Sequence, residues 1–396
     1  MSGIVIIKER MVIMPKRILS VVITLMIAFS QLTASAEELV DISSPSVILM
    51  EMETGKVLYE KNSHEILPPA SVTKVMTMLL IMEAIDDGTL KYDDMVTGSA
   101  RAKSMGGSTI FLEEGESLSV HDMLKGIAVA SGNDASVAMA EHISGSVEAF
   151  VEKMNKKAYE LGMKDTCFVN CNGLDDGEYY NTTSAYDIAI MSRELMLKHK
   201  DITKYTTIWM DSLRDGKFQL ANTNKLIRFY EGATGLKTGS TSKAKNCLSA
   251  TATRNGLSLI AVIMKAPSSK ERFSDASKLL NYGFATFNNK AVVNKGDTIK
   301  SVSVKKGNTN SVDIVASEGY SHLYKKDAKI EIEKKIICED MFLAPVKMSE
   351  KCGTLQILCE NNVVKEIDLV FKEDVEKKKL SKVYINLLEC WSGRKV

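Results

Sequence analysis

The segment Val75 to Ile85 constrains this chain most, because it predicts a helix with methionine and leucine side chains on all sides. A helix that is apolar all round has to be surrounded by other layers of structure. Strand-like segments occur far from it in both directions, at Ser46 to Glu60 and at Gly235 to Met264. The sequence therefore predicts one sheet that is assembled from distant parts of the chain and packed on a helical layer, an α+β arrangement.

Further helical and strand-like patterns complete this first domain, which we expect to span residues 41–287. A hairpin is predicted where Ser46 to Met52 and Lys56 to Glu60 alternate around a Glu-Thr-Gly turn. The remaining predicted elements are helices at Ser119 to Val129, Ala135 to Ile143, Val147 to Leu161 and Thr183 to Leu197, strands at Gly235 to Ser240, Asn246 to Thr253 and Leu257 to Met264, and a closing helix at Ser268 to Tyr282.

From Asn288 onward the pattern changes to short alternating segments, such as Thr298 to Val304 and Val363 to Phe371. Such segments are typical of a small all-β domain, which we expect over residues 288–372. No acid, base and nucleophile come together in this part of the sequence. A spacer or an interaction module is the expected role.

Both ends of the chain carry features of an exported protein. Lys16 and Arg17 precede an apolar run and the small-residue series Ala34-Ser35-Ala36, which predicts a secretory signal over residues 1–36. The tail, residues 373–396, has one apolar helical stripe behind a cluster of lysines. It predicts an amphipathic helix on a membrane surface, with packing on the β-domain as the alternative. We expect an extracytoplasmic protein at the outer face of the cytoplasmic membrane.

Charge and cysteine content exclude several functional classes. Lysine plus arginine number 51 against 50 acidic residues, so the net charge gives no argument for a nucleic-acid partner. The seven cysteines are odd in number and irregularly spaced, and only Cys167 and Cys171 are close enough in sequence to suggest a bridge. No metal-ligand spacing occurs. We expect free thiols, no metal and no cofactor.

Ser71 and Lys74 are the first candidate functional residues, at the point where a loop enters the apolar helix. Residues three apart lie on one helix face, so the lysine can approach the serine hydroxyl. A serine hydroxyl needs a base, and a buried lysine loses its charge and can serve as one. Taken alone, this spacing is weak evidence, because both residue types are common.

Ser131 and Asn133 form the second candidate pair, between two predicted helices. A hydroxyl and an amide on a tight loop can move a proton and hold a substrate amide. Such residues also cap helices for simple hydrogen-bonding reasons, and in isolation that interpretation is the stronger one.

The third candidate group is Lys237, Thr238, Gly239 and Ser240, on a predicted strand. The lysine offers a cation for a substrate carboxylate and the threonine a hydroxyl, while glycine lets a peptide approach the strand backbone. A lysine on an edge strand is otherwise a common guard against aggregation.

In this order and these settings, the three motifs are the signature of β-lactamases and penicillin-binding proteins. The chain resembles most closely the low-molecular-mass D-alanyl-D-alanine carboxypeptidases, from Ser46 to about Tyr282, and more loosely in its β-domain and tail. That resemblance implies a β-lactamase/transpeptidase-like domain with an antiparallel sheet and a helical layer. It rests on the fuller motifs Pro69 to Lys74, Ser131 to Ala135, Phe168 to Asn170 with Gly173-Leu174, and Gly235 to Gly239.

The resemblance also implies a role for each motif residue. Ser71 attacks the carbonyl between two D-alanines, Lys74 takes its proton, and Ser131 relays a proton to the leaving D-alanine. Asn133 holds the substrate or Lys74. Lys237 and Thr238 bind the terminal carboxylate, Gly239 and Ser240 lie beside the substrate backbone, and the N–H groups of Ser71 and Ser240 form the oxyanion hole. The implied partners are peptidoglycan stem peptides and β-lactam antibiotics, which acylate the serine.

Three alternatives stay open at this point. A β-lactamase has the same motifs and deacylates faster, and Glu178 with Asn181 has the letters of a deacylating motif. A D,D-endopeptidase or transpeptidase differs only in its leaving group or acceptor. A non-enzymatic protein that binds wall peptide would be expected to lack a motif residue, and all are present.

Overall fold

A computed structural model describes residues 40–175 and 177–379, together with Tyr384 and Trp391. The predicted signal over residues 1–36 lies outside the described residues, as does most of the predicted tail helix over residues 373–396. The described start of that tail is extended, because Val375 and Lys377 form bridges with the β-domain. Within the described residues, no helix combines the length and apolar character needed to cross a membrane.

The first part of the chain combines a central sheet with a layer of helices, which confirms the predicted α+β class. Its elements are β1 (Ser46–Glu51), β2 (Val57–Lys61), α1 (Lys74–Asp86), β3 (Met95–Thr97), α2 (Ala100–Lys103), β4 (Ser117–Ser119), α3 (Val120–Ala128), α4 (Asn133–Ser144), α5 (Val147–Glu160), α6 (Ala185–Lys198), α7 (Thr203–Thr206), β5 (Met210–Leu213), β6 (Phe218–Ala221), α8 (Leu226–Phe229), β7 (Ala233–Thr241), β8 (Lys245–Arg254), β9 (Leu257–Ala266) and α9 (Ser269–Thr286).

The central sheet is antiparallel, in the order β2-β1-β9-β8-β7. Its first and last strands along the chain are neighbours, with Ile48 opposite Val262. Both faces of the sheet are covered. Ile48 belongs to the core cluster that contains α1, whereas Leu49 points to α9, where a Cβ on Gly283 would lie 3.0 Å from its side chain. This arrangement confirms that distant segments build one sheet.

The α1 helix lies in the middle of the helical layer. Every residue from Lys74 to Met82 is buried, as predicted from its apolar run. Full burial of a side chain such as Leu79 contributes about 1.5–3 kcal/mol relative to exposure. The helix is therefore a rigid base for the residues at its start.

Several short elements were not predicted from the sequence. The ribbon β3–β4 and the hairpin β5–β6 have strands of three or four residues, and α2, α7 and α8 have four residues each. Segments this short contain too few residues to show the two-residue repeat of a strand or the 3.6-residue repeat of a helix. Tertiary contacts rather than local pattern determine them.

The C-terminal part is all-β, as predicted. Its strands are β10 (Phe287–Val293), β11 (Thr298–Lys305), β12 (Ser311–Ala316), β13 (Tyr320–Lys325), β14 (Ile332–Cys338), β15 (Met341–Leu343), β16 (Lys351–Cys359) and β17 (Asn362–Phe371). They form a six-stranded sheet in the order β14-β16-β17-β12-β11-β15 and the pair β10–β13. Its core consists of valine, isoleucine, leucine and phenylalanine side chains such as Ile314 and Leu355. The six described cysteines of the whole chain are free.

Candidate active site

Ser71 lies in a short 3-10 turn, Ala70–Thr73, that runs directly into α1. The side chain is half-buried, whereas Lys74, three residues later, is fully buried. The Nζ atom of Lys74 donates a hydrogen bond of 3.0 Å to the Ser71 Oγ atom. The predicted approach of these two side chains is present in the structure.

The loop from Asn170 to Gly173 packs against this turn and contacts Lys74. Gly173 has a φ of +81°, and a Cβ at this position would lie 1.9 Å from the Ala70 carbonyl oxygen. Only glycine allows both the left-handed backbone and the close approach. Asn170 shapes the loop, because its Oδ1 accepts from the Gly173 N–H at 2.7 Å. The loop thereby brings the Asn172 carbonyl oxygen to within 2.7 Å of the Lys74 Nζ atom.

The Lys74 Nζ atom donates hydrogen bonds to three acceptors, and none of the three is a carboxylate. Besides Ser71 and the Asn172 carbonyl, its Nζ donates to the Asn133 Oδ1 at 2.6 Å. Burial lowers the pKa of Lys74 to about 7, opposed by smaller charge effects of Cys171 and Asp134. A large share of the lysine is therefore neutral near pH 7, and a neutral amine can accept the Ser71 proton.

Ser131 lies in the loop between α3 and α4, and Asn133, the partner of Lys74, is the first residue of α4. Asn133 is fixed in place, because its Nδ2 donates to the Gly106 carbonyl at 2.8 Å and its N–H to the Ser108 carbonyl at 2.7 Å. No side chain caps the start of α4, where Gly132 occupies the cap position. The interpretation of this motif as a simple helix cap was therefore wrong.

Ser131 itself has a left-handed backbone, with a φ of +66°, and is only 4% exposed. A non-glycine residue in this region carries backbone strain, which occurs frequently at functional sites. Among the described residues, its hydroxyl has no hydrogen-bond partner. Its side chain is therefore not committed to a structural contact.

Strand β7 carries Lys237, Thr238, Gly239 and Ser240 along the edge of the central sheet. A Cβ on Gly239 would lie 2.6 Å from the Pro69 carbonyl oxygen and 3.0 Å from the Ser71 nitrogen. The strand therefore passes directly against the Ser71 turn. Its glycine makes this approach possible, and the motifs that are far apart in sequence meet in one place.

Lys237 and Thr238 are buried beside this contact. The Thr238 Oγ1 donates to the Thr223 Oγ1 at 2.6 Å, and the Lys237 Nζ donates to the Thr238 carbonyl at 3.0 Å. Burial, and then the charges of Lys74 and Arg272, hold the pKa of Lys237 well below its usual value. An incoming carboxylate would reverse this effect, because an opposite charge favours the protonated lysine.

Arg272 is a site residue that the sequence reasoning missed. It lies on α9, is 6% exposed, and donates from Nη1 to the Gly239 carbonyl at 3.1 Å and to the Cys247 carbonyl at 3.2 Å. Burial lowers its pKa to about 10, so it remains a cation at neutral pH. The only sequence signal was an arginine at the start of the predicted closing helix, and nothing there connected it to β7.

Glu178 was the sequence candidate for the deacylation step. It is exposed, in the loop that follows Asn172. Asn181, from the same segment, is buried and donates to the Thr73 Oγ1 at 2.9 Å and to the Asn170 carbonyl at 3.0 Å. Asn181 thus supports the Ser71 turn, whereas Glu178 is exposed.

Two family models match this chain. The model described as D-alanyl-D-alanine carboxypeptidase matches residues 31–268, and the model described as the C-terminal domain of penicillin-binding protein 5 matches residues 287–377. Together they cover both parts of the described fold.

Individual relatives agree with these models. The D-alanyl-D-alanine carboxypeptidase DacF of Bacillus subtilis is 49% identical over 336 residues, which cover 84% of this chain and 86% of the relative. Penicillin-binding protein 5 of Haemophilus influenzae, a solved structure, has 31% identity and a TM-score of 0.69, and covers 85% of this chain and 98% of its own. Penicillin-binding protein D2 of Listeria monocytogenes, solved in an ampicillin-bound form, has 30% identity and a TM-score of 0.57, and covers 61% and 98%.

Proposed function

The chain belongs to the D-alanyl-D-alanine carboxypeptidase family of serine hydrolases, and on that premise we propose how its residues divide the reaction. The family resemblance found in the sequence is confirmed, and the enzyme is a D-alanyl-D-alanine carboxypeptidase. The observation that best supports the division of roles is the hydrogen bond from the buried Lys74 Nζ to the Ser71 Oγ.

In the first step, neutral Lys74 accepts the proton of the Ser71 hydroxyl as the oxygen attacks the carbonyl between the two D-alanines. Its contacts with Asn133 and the Asn172 carbonyl keep the amine within reach of the hydroxyl. Ser131, whose hydroxyl is uncommitted, relays this proton from Lys74 to the nitrogen of the departing D-alanine, so that Lys74 is neutral again. An ester on Ser71 is formed and the amide bond is broken.

The terminal carboxylate of the substrate binds Lys237 and Thr238, with Arg272 as a further cation behind β7. Binding of the carboxylate favours the protonated form of Lys237. This lysine therefore selects substrates that end in a carboxylate. Asn133 orients the substrate amide as well as Lys74.

The N–H groups of Ser71 and Ser240 stabilise the oxyanion of the tetrahedral intermediate. The support is the close packing of β7 on the Ser71 turn at Gly239, which brings both backbone segments to one place. Loss of one such donor typically lowers the rate by about 10²–10³. Neutral Lys74 then accepts a proton from the water molecule that attacks the ester, and this proton passes to the Ser71 oxygen as the acyl group is released.

β-Lactam antibiotics acylate Ser71 by the same attack, because their ring carbonyl and carboxylate fit the positions of the substrate groups. The Listeria relative has been solved in an ampicillin-bound form, which supports this extension. A lactamase activity is less well supported, since Glu178 is exposed.

The family acts on the cell wall, outside the cytoplasm. For this chain we propose export through a signal over residues 1–36, a carboxypeptidase domain over residues 41–287 and a β-domain over residues 288–372 that holds it away from the membrane. The tail over residues 373–396 attaches to the outer face of the cytoplasmic membrane. Tyr384 and Trp391, which belong to its apolar stripe, are exposed, as membrane contact requires.

The experiment that tests this function compares two reactions of the purified mature protein. Release of D-alanine from a peptide that ends in D-alanyl-D-alanine is measured beside hydrolysis of penicillin. The carboxypeptidase proposal predicts D-alanine release and a slow turnover of penicillin. Rapid penicillin hydrolysis without D-alanine release would point instead to a β-lactamase, and a matched peptide ending in L-alanine is the control.

A further inference from the structure

Two half-buried cysteines, Cys338 and Cys352, lie on neighbouring strands of the β-domain and take no part in the reaction described above. Cys338 is the last residue of β14, and Cys352 is the second residue of β16. Both are free thiols in the structure. Both side chains also pack against the same apolar core, so they lie on the same face of the six-stranded sheet.

The backbone brings the two residues close together. Cys338 lies directly opposite Gly353, the residue that follows Cys352. A Cβ on Gly353 would lie 2.7 Å from the Cys338 Cβ, so the glycine leaves room for the Cys338 side chain. Cys352 lies where the pairing of β16 with β17 shifts in register. Such a bulge interrupts the regular alternation of a strand, which allows Cys352 to share a face with Cys338.

The sulfur atoms are held near each other by backbone acceptors. The Cys338 Sγ donates to the Glu339 carbonyl at 3.2 Å and to the Cys352 carbonyl at 3.4 Å. The Cys352 Sγ donates to the Leu369 carbonyl at 3.3 Å. In an antiparallel pair, the neighbour of the opposite residue lies about 6 Å away between Cα atoms. A disulfide requires a separation of roughly 4.4–6.8 Å, so the strands need not move.

The two thiols also influence each other's ionisation. Burial raises the pKa of Cys338, opposed by the charge of Lys300 and by a hydrogen bond with Cys352. Burial, followed by the charge of Cys338 and the same hydrogen bond, raises the pKa of Cys352 to about 12. Cys338 therefore ionises first, and the Cys352 thiol donates to its thiolate. Since the thiolate is the attacking species in disulfide exchange, Cys338 is the attacking residue of the pair.

A metal site is the other chemistry that two thiols suggest. A structural zinc ion takes four ligands, and two cysteines supply only half of them. Within the part of the chain that the structure describes, no group of three histidine, cysteine or acidic side chains is arranged to hold a metal ion. The pair is therefore better suited to a bond between its sulfur atoms.

We infer that Cys338 and Cys352 are an oxidation site that forms a disulfide outside the cytoplasm, where thiols are not kept reduced. This inference goes beyond the proposed function and takes from it only the export of the chain. The Cys338 thiolate attacks a low-molecular-mass disulfide, whose bond breaks to release one small thiol. Cys352 then loses its proton and attacks the Cys338 sulfur, which releases the second small thiol. The two protein thiols are oxidised, and the small disulfide is reduced.

The bond would close the loop over residues 338–352, which includes β15. In this loop Val346 pairs with Val375 through two backbone hydrogen bonds of 3.0 Å, at the start of the tail. A cross-link restricts the unfolded chain and so stabilises the folded one. The expected effect is a more stable β-domain around the point where the tail begins. The loop contains no catalytic residue, so the reaction at Ser71 should not change.

The test equilibrates the purified mature protein with mixtures of oxidised and reduced glutathione. Free thiols are then alkylated, the intact mass is recorded, and any cross-linked peptides are identified by proteolysis and fragmentation. The variants are Cys338→Ser and Cys352→Ser. Cys359→Ser is the matched control, because Cys359 is also half-buried and lies at the other end of β16.

The wild type and Cys359→Ser should lose two hydrogen atoms and give one cross-linked peptide that contains Cys338 and Cys352. Neither other variant should give this peptide, and Cys352→Ser should instead accumulate glutathione on Cys338. The unfolding transition of the β-domain should lie about 10 °C higher in the oxidised wild type than in the reduced protein, and this shift should be absent from both variants. D-alanine release should be the same in both redox forms.

Three results would overturn the inference. One is a folded wild type in which Cys338 stops at the mixed disulfide with glutathione, because the second thiol then cannot reach the first. Another is a bridge to Cys359 or to a second copy of the chain. The third is a Cys338–Cys352 bridge that leaves the melting temperature unchanged, which would remove its stabilising role. The comparison of redox forms uses the unaltered chain, so it does not depend on how the variants fold. A bridged protein without D-alanine release would count against the proposed function and leave this inference standing.

Discussion

The rate at which Ser71 is acylated should follow the titration of Lys74. Only the neutral amine can accept the serine proton, and burial lowers the pKa of Lys74 to about 7. The folded pKa is depressed, so the neutral form is populated above it and lost as the pH falls through it. Acylation should therefore be slow in mild acid and reach a plateau in mild base.

The size of the effect follows from the titration curve. With a pKa of about 7, the neutral fraction rises from about a tenth at pH 6 to about nine tenths at pH 8. The rate should increase about tenfold over this interval and little above it. An exposed lysine with an ordinary pKa would give a rise of about a hundredfold over the same interval and no plateau.

The assay is the rate of penicillin adduct formation at saturating penicillin, followed by intact mass between pH 5.5 and 9. Saturation separates this step from binding, which Lys237 also makes dependent on pH. A rate that does not change between pH 6 and 8, or one that continues to rise without a plateau, would refute the role of Lys74 as the base.

Four further substitutions test individual contacts. Gly173→Ala places a Cβ 1.9 Å from the Ala70 carbonyl at a φ of +81°, so thermal unfolding should show a loss of about 2 kcal/mol or more, together with a loss of adduct formation. Ser131→Ala should slow D-alanine release by about 10²–10⁴ in steady-state kinetics, with the fold unchanged by circular dichroism. Arg272→Leu should raise the KM for peptide about tenfold or more, and a peptide amide, which lacks the carboxylate, should show little change. Glu178→Gln should leave the decay of the penicillin adduct within about twofold of the wild type, and a large slowing would revive the β-lactamase alternative.

The sequence predicted the parts of the site that depend on residue type and local spacing. Ser71 and Lys74 are three residues apart at the start of a buried helix, so their contact follows from helix geometry. The long apolar and alternating segments likewise predicted the central sheet and α1. Long apolar runs and alternating segments are patterns that can be recognised in a single sequence.

The contacts that hold Lys74 in place were harder to predict from the sequence. The Asn172 carbonyl is a backbone group, and every residue has one. The type of residue at position 172 therefore does not indicate that this carbonyl accepts a hydrogen bond from a buried amine. Its position depends on Gly173 and on the packing of two segments about a hundred residues apart. Side-chain chemistry alone could not have predicted it.

Arg272 and Thr223 were missed for a related reason. Arg272 meets β7 only because α9 packs across the sheet, and Thr223 follows a short hairpin that shows no clear strand pattern. Sequence patterns predict structure best within one helix or strand, and least well where two elements that are distant in sequence pack together. Arg272 and Thr223 both lie at such contacts.

The mechanism requires a covalent bond between the inhibitor and Ser71. The mature protein is incubated with penicillin, its intact mass is recorded, and the modified peptide is located by proteolysis and fragmentation, with Ser71→Ala treated in parallel. We predict one added penicillin per chain, located on Ser71 and absent from the variant. An adduct on another residue, an adduct that persists in Ser71→Ala, or no adduct in a protein that still releases D-alanine would contradict the mechanism.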